Sequence, residues 1–312
     1  MRCDPTRWQW PRQLLGLVLS LPLAALAGPE VVASIQPLHS LVASIMQGVA
    51  EPVLLVRGGA SPHDYALRPS DARALADARV VFWIGPELET FMVKPLQNAQ
   101  GKVRSVALLD APGVTVLPLR SGGAWEARQP EHDHEHGAST GRDAHIWLDP
   151  GNAAAMARRV VAVLGEVDPE HRADYERNGS LLADRLDQLN RRLTAELEPI
   201  KRQPFIVFHD AYRYFEQRYN LNTVGAITLG PEQRPGAKRV AEIQARIRSA
   251  GVRCVFSEPQ FQPALVETLI AGSSARTGVL DPLGAAIPSG PEAYFQLVRA
   301  LADALRACLN KV

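Results

Sequence analysis

Six histidines and one aspartate hold the residue types that could do chemistry in this 312-residue chain. Three of the histidines alternate with acids in Glu131-His132-Asp133-His134-Glu135-His136, inside a Gly-, Ser- and charge-rich stretch at 121–142. Alternating imidazole and carboxylate gathers metal, and a connection this long and irregular is usually functional or disordered. A solvated loop with a chance histidine cluster is the competing reading, and a flexible loop would hold metal weakly. The other four are more widely spread. His63 lies in the loop after an apolar run, behind Arg57-Gly58-Gly59-Ala60-Ser61-Pro62. His145 directly precedes Ile146-Trp147-Leu148-Asp149-Pro150, His209 directly follows the run at 205–208, and Asp281 directly follows Gly278-Val279-Leu280. Their spacings of 82, 64 and 72 residues match no short metal motif, so only the fold could assemble them. What His63, His209 and Asp281 share is a place beyond the carboxyl end of a strand, the side that faces the ligand crevice in open α/β sheets. Singly, each remains ambiguous: a histidine is as readily a core or surface residue, and an Asp-Pro as readily a turn.

The elements that must position these groups alternate. Short β-branched runs at 31–35, 53–56, 80–84 and 103–108 predict strands, with helices between them at 38–49, 69–78 and 87–98. The second half repeats the scheme, with strands at 205–208, 223–226, 254–257 and 277–280 and helices at 211–219, 237–250, 263–274 and 291–307. This is an α/β chain with mostly parallel sheets. Between the halves, Leu182, Leu186, Leu189, Leu193 and Leu197 recur at the period of one helical face. Asp168-Pro169-Glu170 supplies a start signal and Pro199 a stop. About 30 residues at about 1.5 Å each predict a helix roughly 45 Å long, a stiff link between two lobes. The division is then 28–166, a connecting helix at 167–199, and 200–312.

Composition excludes other classes. A net charge of +1, from 34 basic and 33 acidic residues, leaves no electrostatic footprint for nucleic acid. Arg2, Arg7 and Arg12 precede an apolar run at 14–26 that ends in Ala25-Leu26-Ala27. This predicts a secretory signal cleaved after Ala27; the run is shorter than the about 20 residues a membrane span needs. Cys3 leaves with the leader, so Cys254 and Cys308 remain in an oxidising compartment, where a disulfide is expected of them.

Segments of the chain resemble ZnuA-type periplasmic zinc-binding proteins, the solute-binding components of zinc ABC transporters. Gly58-Gly59-Ala60-Ser61-Pro62-His63-Asp64-Tyr65 is similar to that family's first ligand loop, and Asp143-Ala144-His145-Ile146-Trp147-Leu148-Asp149-Pro150 to its second. Phe208-His209-Asp210-Ala211-Tyr212 resembles the third and Leu280-Asp281-Pro282-Leu283-Gly284 the fourth. Phe256-Ser257-Glu258-Pro259, the histidine-rich insertion, the long central helix and the cysteine pair match family features as well.

The resemblance implies two Rossmann-like lobes joined by one long rigid helix, with a metal ion in the cleft between them. It implies His63, His145 and His209 as ligands, with Asp281 or a water in fourth place, and His132, His134 and His136 as an accessory loop. Some relatives have an acid just before the first histidine; here Pro62 stands there. Asp64 and Asp210 follow ligand histidines directly, so they are candidates either to hold the far ring nitrogens or to cap helices. Three neutral imidazoles suit Zn²⁺, whereas Mn²⁺ prefers more carboxylate. The implied role is zinc capture and delivery to an inner-membrane ABC permease and its ATPase subunit by a monomer, with a periplasmic zinc chaperone as an admissible further partner. The rivals are a manganese or other divalent-metal binder of the same family, an exported zinc hydrolase and an adhesin. Three histidines plus water can activate that water, but the sequence has no H-E-x-x-H, G-x-S-x-G or P-loop motif.

Overall fold

The computed structural model describes Met1 and residues 28–120, 141–228, 235–259 and 264–310. The expected leader beyond Met1 and the loop histidines His132, His134 and His136 lie outside the described residues.

The β-branched runs form two four-stranded parallel sheets. In the first, β1 (Val31–Ala33), β2 (Val53–Leu54), β3 (Val80–Trp83) and β4 (Arg104–Ala107) lie in the order β2-β1-β3-β4. Parallel strands need crossovers, which α1 (Gln36–Ile45), α2 (Pro69–Asp77) and α3 (Thr90–Asn98) supply. Every residue of β3 is buried, as expected of a strand covered on both faces.

The sequence reading missed one helix. α4 (Pro150–Val167) opens with Asp149, whose side chain accepts from the Gly151 backbone N–H at 2.7 Å, and Pro150 fills its first position. It packs along α5 (Arg172–Leu197), the predicted long helix, which buries Leu182, Leu186, Leu189, Leu193 and Leu197. Short 3₁₀ turns at Pro169–His171 and Glu198–Ile200 extend α5 at both ends. The 26 residues of α5 alone rise about 39 Å. Gly179 sits where the two helices touch: a Cβ there would lie 2.5 Å from Val161 Cγ2. The connection is therefore a packed pair and not a lone strut.

The second sheet comprises β5 (Phe205–His209), β6 (Thr223–Thr228), β7 (Cys254–Ser257) and β8 (Arg276–Val279) in the order β6-β5-β7-β8. Its helices are α6 (Arg213–Tyr219), α7 (Ala237–Ser249), α8 (Ala264–Ile270) and α9 (Ala293–Leu309). α9 turns back to pack against α1 and α5, so one apolar core runs from Val31 and Leu38 through Leu186 and Leu193 to Phe256 and Leu301. Cys254, at the start of β7, is disulfide-bonded to Cys308 near the end of α9. Among the described residues no helix is long and apolar enough to cross a membrane.

Both strand orders place a topological switch point, between β1 and β3 and between β5 and β7. Such points open a crevice at the strands' carboxyl ends. In the first sheet that point is closed by buried Glu89, whose carboxylate accepts from Ser34 Oγ (2.5 Å), the Gly85 N–H (3.0 Å) and the Ile84 N–H (3.2 Å). In the second it holds a histidine.

Candidate metal centre

That histidine is His209, the last residue of β5, and its neighbour across the switch point is Glu258, just beyond β7. Glu258 Oε1 lies 2.7 Å from His209 Nδ1. Across the cleft, His145 opens the short turn Ile146–Leu148, and its Nδ1 lies 2.8 Å from Asp143 Oδ1. The two carboxylates are only 3% and 2% exposed, so each faces its imidazole without competition from water. A carboxylate on Nδ1 fixes the ring with Nδ1 as donor and Nε2 as the free lone pair. The two Nε2 atoms then face each other at 3.4 Å. Two ring nitrogens set this close either share a proton or hold a cation between them.

His63 closes the triangle from the loop after β2. Its ring centroid is 5.4 Å from that of His145 and 6.0 Å from that of His209. Ligand atoms of His63, His145 and His209 all lie within 4.8 Å of one another, and this is the only group of its kind among the described residues. The 3.4 Å between the His145 and His209 nitrogens is the separation expected of two imidazoles at about 2.0–2.1 Å from one tetrahedral ion.

The environment keeps these rings available. Burial, then the nearby His145 and His209, push the His63 imidazolium down to about 2, so that ring stays neutral. At His209 burial also opposes protonation, but the charge and hydrogen bond of Glu258, with Asp210 and Asp143, outweigh it and raise the pKa above the ordinary value of 6.5. A proton therefore competes with a cation at His209 and not at His63. Metal affinity is expected to fall by about tenfold per pH unit below the His209 pKa, since each unit there costs about 1.4 kcal/mol. Competition titrations between about pH 8 and about pH 5 measure it; a flat profile would mean that no proton is displaced from His209.

Of the four expected ligands, the fold thus gathers three. Asp281 stands outside the group and is turned to its own backbone: Oδ1 accepts from the N–H groups of Leu283 (3.0 Å) and Gly284 (2.9 Å), and Oδ2 from that of Ala285 (2.6 Å). The expected holders of the far ring nitrogens were different residues as well. Asp210 pairs with Arg120 at 3.0 Å instead, and Asp143 and Glu258 take that role. Asp143 had a visible signal, a carboxylate two residues before a histidine; Glu258 is 49 residues from its partner and becomes its neighbour only through β5–β7 pairing.

The comparisons agree with this geometry. The family model for ZnuA, the periplasmic component A of a zinc-uptake complex, matches residues 31–308. The chain belongs to the ZnuA family. The high-affinity zinc uptake system protein ZnuA of Brucella suis biovar 1 (strain 1330) is 47% identical, over 92% of this chain and 94% of that protein. ZnuA of Yersinia pestis is 37% identical, over 97% and 98%. A crystal structure of ZnuA superposes with a TM-score of 0.75 at 27% identity, covering 90% of this chain and 99% of that one. A mutant laminin-binding adhesin of Streptococcus agalactiae superposes at 0.76 with 24% identity, over 90% and 100%. At that identity the likeness is one of fold.

Proposed function

We propose that this member of the ZnuA family captures Zn²⁺ in the periplasm with His63, His145 and His209 and hands it to an inner-membrane ABC permease served by an ATPase subunit. The observation that carries the reading is the convergence of three imidazoles from both lobes, two of them backed by buried carboxylates. Loss of such outer partners typically costs a metal site about 10–100-fold in affinity, so buried Asp143 and Glu258 are themselves a sign of selection for tight binding. A water completes the tetrahedron in this reading, because three of the lone-pair positions of Asp281 are already taken by backbone N–H groups. Zinc is cargo here and no group is assigned to catalysis.

Export by a leader cleaved after Ala27 fits this role, as do the family relatives. So does a layout of two lobes at 28–166 and 200–312 joined through the helix at 167–199, acting as a monomer. His132, His134 and His136 would serve as an accessory collector, and a periplasmic zinc chaperone could feed the same protein.

Titration of metal-free mature protein with Zn²⁺ against a chelator of known strength, repeated with Mn²⁺, tests the reading. One tight zinc equivalent with much weaker manganese binding is expected, because a neutral three-nitrogen set suits the borderline ion and not the hard one. Comparable manganese binding would overturn the zinc assignment, and no tight equivalent for either would overturn the transport role.

A further inference from the structure

The segment around Asp281 touches the neighbourhoods of all three histidines. Its Leu280 carbonyl accepts from Tyr212 Oη at 3.1 Å, and Tyr212 lies three residues beyond His209. Its Pro282 carbonyl accepts from Trp147 Nε1 at 2.8 Å, and Trp147 lies two residues beyond His145, its ring centroid 5.3 Å from that imidazole. Ala285 lies against Gly59, four residues before His63; a Cβ on Gly59 would come within 2.9 Å of Ala285 Cβ, and Gly59 has φ +75°. From the first lobe, Gln36 Nε2 donates to the carbonyls of Gly284 and Ile287, both at 2.7 Å. These contacts come from both lobes and meet on one turn.

What gives that turn its shape is the Asp281 carboxylate, which gathers the N–H groups of Leu283, Gly284 and Ala285. We propose that Asp281 is a positioning residue and not a zinc ligand: it folds the turn on which the His63, His145 and His209 segments are brought into register. The proposal rests on the three-histidine reading above and adds to it a reason for an aspartate at this position. It also accounts for the His63 ring. Among the described residues no carboxylate or carbonyl holds a nitrogen of His63, so its place depends on where its loop is seated.

Variants that spare the metal test this. Asp281→Asn keeps one acceptor oxygen but turns an amide N–H₂ toward the Ala285 N–H, donor against donor. Trp147→Phe keeps an aromatic ring beside His145 and removes only the bond to Pro282, and Gln36→Ala removes the clamp on Gly284 and Ile287. All three are expected to weaken zinc, Asp281→Asn by roughly 10–100-fold as for other outer partners, and the two remote variants by a smaller but measurable factor. At saturating Co²⁺, Asp281→Asn is expected to keep the wild-type visible absorption bands, since the ligand set is unchanged. Altered cobalt bands in Asp281→Asn, with wild-type affinity in Trp147→Phe and Gln36→Ala, would make Asp281 a ligand and overturn the proposal. Wild-type affinity in all three would overturn it too. Should Asp281→Asn fail to fold, the two remote variants decide alone. Absence of a tight site in the unmodified protein would instead refute the three-histidine reading, a result distinguishable from all of these.

Discussion

His209→Ala leaves the mature protein without a tight zinc equivalent. The substitution removes one of three nitrogens that no neighbouring donor can replace, because the other members of the group are already engaged. It also removes the ring nitrogen that lies 2.7 Å from Glu258, a carboxylate 3% exposed that keeps its bond from Tyr212. Taking one partner out of a buried pair carries a cost beyond the lost contact itself. The loss therefore exceeds the roughly 10–100-fold expected when only the outer partner is changed. Glu258→Gln is the matched control. It keeps a hydrogen-bond acceptor on Nδ1 but gives up the charge that makes the ring a stronger ligand, and its loss should fall inside that range. Zinc competition titrations compare the two. Equal losses would mean that His209 works through Glu258's structural role and not as a ligand.

Reduction of Cys254–Cys308, or its removal by paired serine substitution, is the second large effect. The bridge closes a 54-residue interval from the first residue of β7 to the end of α9. In the chain-entropy account that interval is worth about 4 kcal/mol, which corresponds to a fall in Tm of roughly 6–7 °C for a chain of this size. The bridge also ties α9 to the sheet that carries His209, and α9 packs on α1 of the first lobe. Thermal unfolding of the metal-free protein with and without a reductant measures the effect. An unchanged Tm would mean that the packing of α9 alone holds the second lobe.

Much of this architecture was legible because strand ends advertise themselves. The β-branched runs, the leucine repeat of α5 and the histidines just past strands follow from local periodicity and from the rule that crevices open at the carboxyl ends. α4 was missed although its signals were present: Ala153, Met156, Val160, Val163 and Leu164 recur at helical spacing and are all buried, and Asp149-Pro150 is a start signal. The histidine triangle was legible only through family resemblance, since its members are 82 and 64 residues apart. The carboxylates that hold the histidine rings were only partly legible. Adjacency in sequence offered Asp64 and Asp210 as candidates, the first in a loop and the second one residue past the end of β5. Asp210 pairs with Arg120, and the carboxylate that reaches His209 comes from just beyond β7, which sequence adjacency could not show.

The central claim is that zinc is held by three imidazoles drawn from both lobes. X-ray absorption at the zinc edge, on protein loaded with a single equivalent, tests it most directly. The expected first shell is three imidazole nitrogens and one oxygen at about 2.0–2.1 Å, with the outer-ring scattering that marks imidazole. A shell with one imidazole or none, or one containing sulfur, would contradict the account.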